Sequence, residues 1–198
     1  MYEILNTPVN YGGLELKNRV IFAPTSLGLS QEEQLERLRA IAAGGCAMII
    51  IGDVPVGKHG FGPSLYSKKG FDWYARLTRT IHEEGCLVCA QLHQSDSNVK
   101  AMLKYVPGVL TKRITMEELR PLLNQEVGPY ITRMPAQKAA AIADSFGEAA
   151  VLAKKAGFDM VQVHGDRMCG SFSSTVYNFR TDCYGGSPEN RARFAVEA

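Results

Sequence analysis

AGFDMVQVHGDRMCG, residues 156–170, is the stretch on which the reading of the chain turns. Gly157 closes a helical pattern, and Val161 and Val163 are β-branched within a short apolar run. His164, Asp166 and Arg167 follow at once. That is the pattern of a buried strand delivering polar groups at its exit, where parallel α/β proteins assemble their chemistry. A second polar block, FRTDCYGGSPENRARF at residues 179–194, carries glycines and Ser187-Pro188, which predict a loop feeding a helix.

Working outward, one unit recurs: an amphipathic helix, a glycine, then an apolar strand. It appears in AAGGCAMII (42–50), HEEGCLVCA (82–90) and KKAGFDMVQV (154–163). Such alternation predicts an α/β protein of parallel (β/α) units. NRVIFAP (18–24) reads as the first strand, with Pro24, Thr25 and Ser26 in its exit loop. Ser30 and Glu33 have capping-box spacing before a helix whose apolar face is Leu35, Leu38, Ile41 and Ala42 and which stops at Gly44-Gly45. CAMIII (46–51) is a continuous apolar run, as expected of a parallel strand covered on both faces, and Gly52-Asp53 reads as its end. Phe71, Tyr74, Leu77, Thr78 and Ile81 predict the second helix, and CLVCAQL (86–92) the third strand, with Gln91, His93 and Gln94 at its exit.

Residues 94–135 are too long for an ordinary connection of roughly two to six residues and read as a lid-like insertion. Thr115 and Glu118 form a second capping-box pattern, while Gly128-Pro129 and Met134-Pro135 predict breaks, so a short helix riding in the insertion is expected. A surface excursion without function is the plainer alternative, because long loops tolerate insertion at small entropic cost. Residues 137–155 form the third full helix, with Ile142, Phe146, Ala149, Ala150 and Ala153 inward. Four units are counted, against the eight strands and about 250 residues of a closed barrel, so the fold expected is the first half of a (β/α)8 TIM barrel over residues 1–198.

The 198 residues are 45% hydrophobic and 21% charged with a net charge of +2, and acids are interleaved with bases, which argues against a nucleic-acid partner. No apolar run reaches membrane-spanning length and no basic, then apolar, leader opens the chain, so a cytoplasmic location is expected. Of five cysteines, Cys46, Cys86 and Cys89 lie in apolar strand-like runs and read as reduced, small hydrophobes. Cys86 and Cys89 form C-x-x-C, yet residues three apart on a strand face opposite ways, so no metal site is expected there. His59 and His93 are pocket candidates, and His82 reads as helix surface.

KNRVIFAP (17–24), the Gln91 strand end, AGFDMVQVHG (156–165) and RTDCYGGSPENRARF (180–194) together resemble the old yellow enzyme family of flavin-dependent ene-reductases. The resemblance covers nearly the whole chain but only the amino-terminal half of the family's barrel. It implies FMN at the carboxyl ends of the strands, with Ala23, Pro24, Thr25 and Ser26 against the flavin, the Gly52 backbone and the Gln91 amide reaching the ring, and His164 among the cofactor contacts. The chemistry suits those roles, since a flavin pyrimidine edge alternates donors and acceptors that an amide and main-chain groups match without burying net charge. Taken singly, Gln91 reads as a satisfied core amide and Ser26 as a turn residue.

The family's His-x-x-His or His-x-x-Asn pair binds the substrate carbonyl, and a tyrosine two positions later protonates the product. Here His164 keeps the first position, Arg167 replaces the second, and Cys169 stands where the tyrosine would be. HGDR (164–167) instead resembles the bilirubin reductases of gut bacteria, a branch of the same family. The resemblance implies a tetrapyrrole or enone substrate, His164 and Arg167 as its ligands, Asp166 and Arg167 as catalytic residues, and NAD(P)H as electron donor. Arg167 is suited to a developing oxyanion or a propionate but not to giving up a proton, which Asp166 or water would supply. Asp166 has the alternative of aiming the guanidinium, or of forming only a loop ion pair with it. Arg180, Asp182, Asn190 and Arg191 read as locks of the loop to the barrel. An iron–sulfur cluster is not assignable from this stretch. With four strands, weak FMN binding or none and self-association through open barrel edges are expected, as is, on a further reading, a non-catalytic half-barrel.

Overall fold

The computed structural model describes residues 2–58 and 62–198, and His59 lies outside the described residues. Along the chain run β1 (Val9–Tyr11), β2 (Leu14–Leu16), β3 (Ile21–Phe22), α1 (Gln31–Ala43), β4 (Met48–Pro55), α2 (Lys68–His82) and β5 (Leu87–His93). There follow α3 (Val99–Leu103), α4 (Val106–Leu110), α5 (Met116–Arg133), α6 (Ala136–Lys155), β6 (Met160–Val163), α7 (Arg167–Ser173) and α8 (Pro188–Glu197). The chain divides into two compact units, Met1–His93 with Phe146–Val163, and Gln94–Ser145 with His164–Ala198. No helix among the described residues is long and apolar enough to cross a membrane.

The first unit is built on a four-stranded parallel sheet in the order β3-β4-β5-β6. Sequential neighbours, each pair joined through helix, are the (β/α) arrangement expected from the sequence and that of a partial barrel. The apolar runs form the middle strands because both faces are covered: Met48, Ile49, Ile51 and Val54 on β4 and Val88, Cys89, Ala90 and Leu92 on β5 are all buried. α1 starts at the Ser30–Glu33 capping box and packs against α2 and β4. Thr78 on α2 donates to the Ala156 carbonyl oxygen at 2.6 Å, at the glycine turn into β6.

Two sequence expectations about this unit are corrected and one element is added. The first strand is only Ile21–Phe22, since residues 23–30 leave the sheet as an extended loop. The second strand does not end at Gly52-Asp53 but runs to Pro55, with a register shift between Ile51 and Val54 and Asp53 at a φ of 55°. A β-bulge absorbs the pair, so the polar dipeptide re-aims the strand instead of terminating it. The β1–β2 hairpin was not foreseen: Gly12 and Gly13 take positive φ at its turn, and Leu16 packs with Ala47, Met48 and Cys89.

The second unit is helical. α5 begins at the predicted Thr115–Glu118 capping box but continues through Gly128-Pro129 to Arg133, with Pro121 and Pro129 inside it. The expected break at Gly128-Pro129 is absent because tertiary packing outweighs two missing N–H donors. Val127, Gly128 and Ile131 are buried, and a side chain at Gly128 would meet the backbone of Tyr177. Arg180 then closes the helix end, donating to the carbonyls of Ile131 (2.7 Å) and Met134 and pairing with Asp182. Arg180 and Asp182 do lock the loop, but to the end of α5 instead of to the barrel strands. Arg191 donates to Gly186 O at 2.6 Å within the same loop, and Gly185 is compelled, because a Cβ there would collide with the Arg180 backbone.

Candidate functional site

In the first unit the strand exits bring Pro24, Gly52, Gln91 and a fourth residue, Gln162, into one row. The β5–β6 register sets Gln91 directly beside Gln162, and Gln91 Nε2 donates to Gln162 Oε1 at 2.8 Å. On the other side of Gln91 lies the β4 bulge. A Cβ built on Gly52 would stand 3.3 Å from Pro24 Cβ and 3.8 Å from Gln91 Oε1, so the missing side chain leaves backbone open beside an amide oxygen. Ala23, Thr25 and Ser26 lie exposed in the loop leaving β3, with Pro24 half-buried. The row is uncharged: one bare peptide, two amides and a proline. Such donors and acceptors fit the neutral, alternating edge of a flavin pyrimidine, so the residues present suit the group that the sequence implied.

Gln162 was missed. Its signal was alternation, for it is the polar residue between Val161 and Val163, but a lone glutamine in VQV reads as ordinary strand filler.

In the second unit Asp166 and Arg167 line a cleft of about 320 Å³ together with Asp96, Asn124, Ser171 and Tyr177. The polar residues at the β6 exit open a helix: Arg167 is the first residue of α7, with a φ of 56°. A non-glycine residue in that region costs on the order of 1 kcal/mol or more and persists only where its surroundings hold it. They do so here. Met168 N donates to Gln94 O at 3.2 Å, Ser171 Oγ donates to Asp96 Oδ2 at 2.6 Å, and Met168, Cys169 and Phe172 bury the inner face of α7. His164 Nδ1 accepts from Asp166 N at 3.2 Å, and the Asp166 carboxylate makes no cap to its own helix. Gly170 leaves it room, since a Cβ there would lie 3.2 Å from Asp166 Oδ1. Asp166 and Arg167 are both exposed, and among the ion pairs of the described residues none joins the two.

Among the other candidates, the buried cysteines and His82 make structural contacts. Cys169 is buried in α7 and burial pushes its thiol up, which suits a filler better than a proton donor. Burial likewise pushes the Cys89 thiol up to about 11 and, with Cys46 adjoining, Cys86 up to about 12. Cys86 faces Cys46 with the sulfurs 3.6 Å apart, whereas Cys89 packs with Leu16 and Met48. His82 is more than helix surface, because its Nε2 lies 2.8 Å from Asp159 Oδ2, which also accepts from Val88 N and so ties α2 to the start of β6. His93 is half-buried at the end of β5.

Comparison with known proteins places the chain in a family. Residues 4–198 match the model of the NADH:flavin oxidoreductase / NADH oxidase family. The chain is 63% identical over 198 residues to a bilirubin reductase of Clostridium symbiosum, covering all of this chain and 53% of that protein. It is 34% identical over 196 residues to a bilirubin reductase of Mediterraneibacter gnavus, covering 96% of this chain and 30% of that one. Among solved structures, Old Yellow Enzyme from Pichia sp. AKU4542 superposes with a TM-score of 0.75 at 26% identity, over 98% of this chain and 54% of that one. The chain thus spans about half the length, or less, of the curated relatives it matches. With a family match across almost every residue, this chain belongs to the NADH:flavin oxidoreductase / NADH oxidase family, that of the old yellow enzymes.

Proposed function

We propose that the protein to which this chain belongs is an FMN enzyme that reduces a carbon–carbon double bond of bilirubin on the way to urobilinogen. The observation that carries the reading is Arg167, a cation held at a positive φ in a polar cleft, within HGDR. Identity of 63% to a protein named bilirubin reductase supports the same substrate.

In this reading Pro24, Gly52 and Gln91 hold the flavin edge, with Ala23, Thr25, Ser26 and His164 as further contacts. Bound FMN would supply the hydride. The chain's own residues do the rest. Arg167 offers its planar fork to a lactam oxygen or a propionate and stabilises negative charge as it develops on the substrate, which a guanidinium does without losing its own proton. Asp166, in the same cleft, either hands over the proton or aims the substrate and Arg167 through its carboxylate oxygens. Asp166→Asn separates the two: an amide still accepts a hydrogen bond but delivers no acid proton, so a residual, pH-independent rate means aiming and abolished turnover means acid.

NAD(P)H as the reductant, residues 94–135 as a lid, a cytoplasmic place and self-pairing through the edges of the sheet belong to the same reading. The deciding experiment is turnover of bilirubin and of simple enones by the longer natural protein with FMN. Reduction of bilirubin is expected, and activity confined to enones would replace it with a general ene-reductase.

A further inference from the structure

From the row at the strand exits we infer that Gln162 is a positioning residue for the flavin, acting through Gln91. The inference rests on the proposal that Gln91 reads the flavin edge and adds a residue to it.

A glutamine amide is nearly symmetric in shape, with oxygen and nitrogen at its two ends, and which end faces a ligand is decided by its neighbours. Here the neighbour is a second amide, held alongside by the sheet, and it presents its oxygen. Gln91 and Gln162 are register partners on adjacent parallel strands, so their side chains leave the same face side by side. Gln162 Oε1 takes one hydrogen of Gln91 Nε2 at 2.8 Å. That choice turns Gln91 Oε1 toward the open backbone of Gly52, within 3.8 Å of where a side chain would stand. Gln91 is left with an acceptor beside one unused N–H. An imide N–H next to its carbonyl, as on a flavin pyrimidine, requires that order and is refused by the flipped amide, which would set like against like.

The pair is also neutral. A glutamate at position 162 would still accept from Gln91 Nε2 but would place a negative charge beside the edge that gains negative charge when a flavin is reduced. A leucine would keep the packing and release Gln91 to turn.

The test uses the longer natural protein, with FMN affinity read by fluorescence titration and the two-electron potential by dye-coupled reduction. Unaltered protein should bind FMN, and Gln91→Leu should lower affinity at least tenfold. Failure of the unaltered protein to bind FMN would overturn both the flavin reading and this one. Gln162→Leu should weaken FMN binding about fivefold, as expected for one lost neutral hydrogen bond. Gln162→Glu should bind oxidised FMN within about threefold of the parent but disfavour the reduced form at least tenfold, about 30 mV for a two-electron couple. A residue that merely supported the sheet would leave the potential unmoved. Parent-like affinity in Gln162→Leu together with a parent-like potential in Gln162→Glu would sink the inference while leaving the flavin site standing.

Discussion

The strand-exit row of the first unit and the cleft of the second are built on opposite principles. Pro24, Gly52, Gln91 and Gln162 carry no charge and are placed by the register of a parallel sheet, so their positions follow from backbone hydrogen bonds repeated along each strand. Asp166 and Arg167 are charged and are placed by a helix start in a strained conformation, held by single contacts such as Met168 N to Gln94 O. A sheet fixes what must fit a constant partner. A helix start pinned by a few bonds can be altered without disturbing the sheet, which makes it a natural place for substrate choice to vary. Here Arg167 stands where the family usually has histidine or asparagine.

Arg167→Lys is the sharpest way to break that contrast. It keeps the charge but loses the fork, and turnover of bilirubin should fall at least about a hundredfold while FMN affinity stays within about threefold. Stopped-flow reoxidation of the reduced enzyme and a flavin titration measure the two. Near-parental turnover would reduce Arg167 to a point charge, and a parallel loss of FMN would merge the two regions functionally.

The next effect concerns what holds the cleft. Arg180 is 6% exposed and serves the last carbonyls of α5 as well as Asp182, so Arg180→Met should destabilise the second unit by about 3 kcal/mol. Denaturant unfolding followed in that unit reads it. The Arg180 hydrogen bond holds the Asp182 carboxyl below the usual carboxylate range. A depressed folded-state value means that this contribution is present above the ordinary carboxylate pKa, near about 4, and is lost as pH falls through the lower folded value. Acid unfolding of the second unit should therefore lose part of its steepness below about pH 4 in Asp182→Asn, and an unchanged acid limb would exclude the pair as its source.

Gly52→Ala probes the other region. Gly52 is not in the left-handed region, so alanine is accepted by the backbone, but its methyl fills the opening beside Gln91 Oε1. FMN affinity should drop about tenfold with bilirubin binding at the second cleft less affected, an energy of about 1.4 kcal/mol. Equal FMN affinity would mean that the bare peptide at residue 52 is not a flavin contact.

The smallest expected change in stability has the opposite sign. Arg167→Gly removes a side chain from a φ of 56° and should stabilise the fold by up to about 1 kcal/mol while abolishing turnover. A lower melting temperature would show that the Arg167 side chain, rather than its surroundings, supports the helix start.

The sequence by itself determined the periodic parts: the helix–glycine–strand units, the Ser30 and Thr115 capping boxes, the apolar runs of β4 and β5, and the polar exits at Gln91 and His164. These are local facts, written in 3.6-residue and two-residue periods and in side chains that bond their own backbone within three residues. The family's long motifs added Pro24, Gly52 and Gln91 as one group, which spacing alone does not join. Only the tertiary structure decided the rest. The bulge at Gly52-Asp53 depends on what the neighbouring strand pairs with, and α5 survives Pro129 because its buried face outweighs the lost donor, while Arg180 serves the carbonyls at the helix end. Gln162 became visible only when the parallel register set it beside Gln91, since a contact between residues 71 apart leaves no local pattern. Register, burial and long-range partners are properties of the packed sheet, and they chose among conformations that the local sequence left nearly equal in energy.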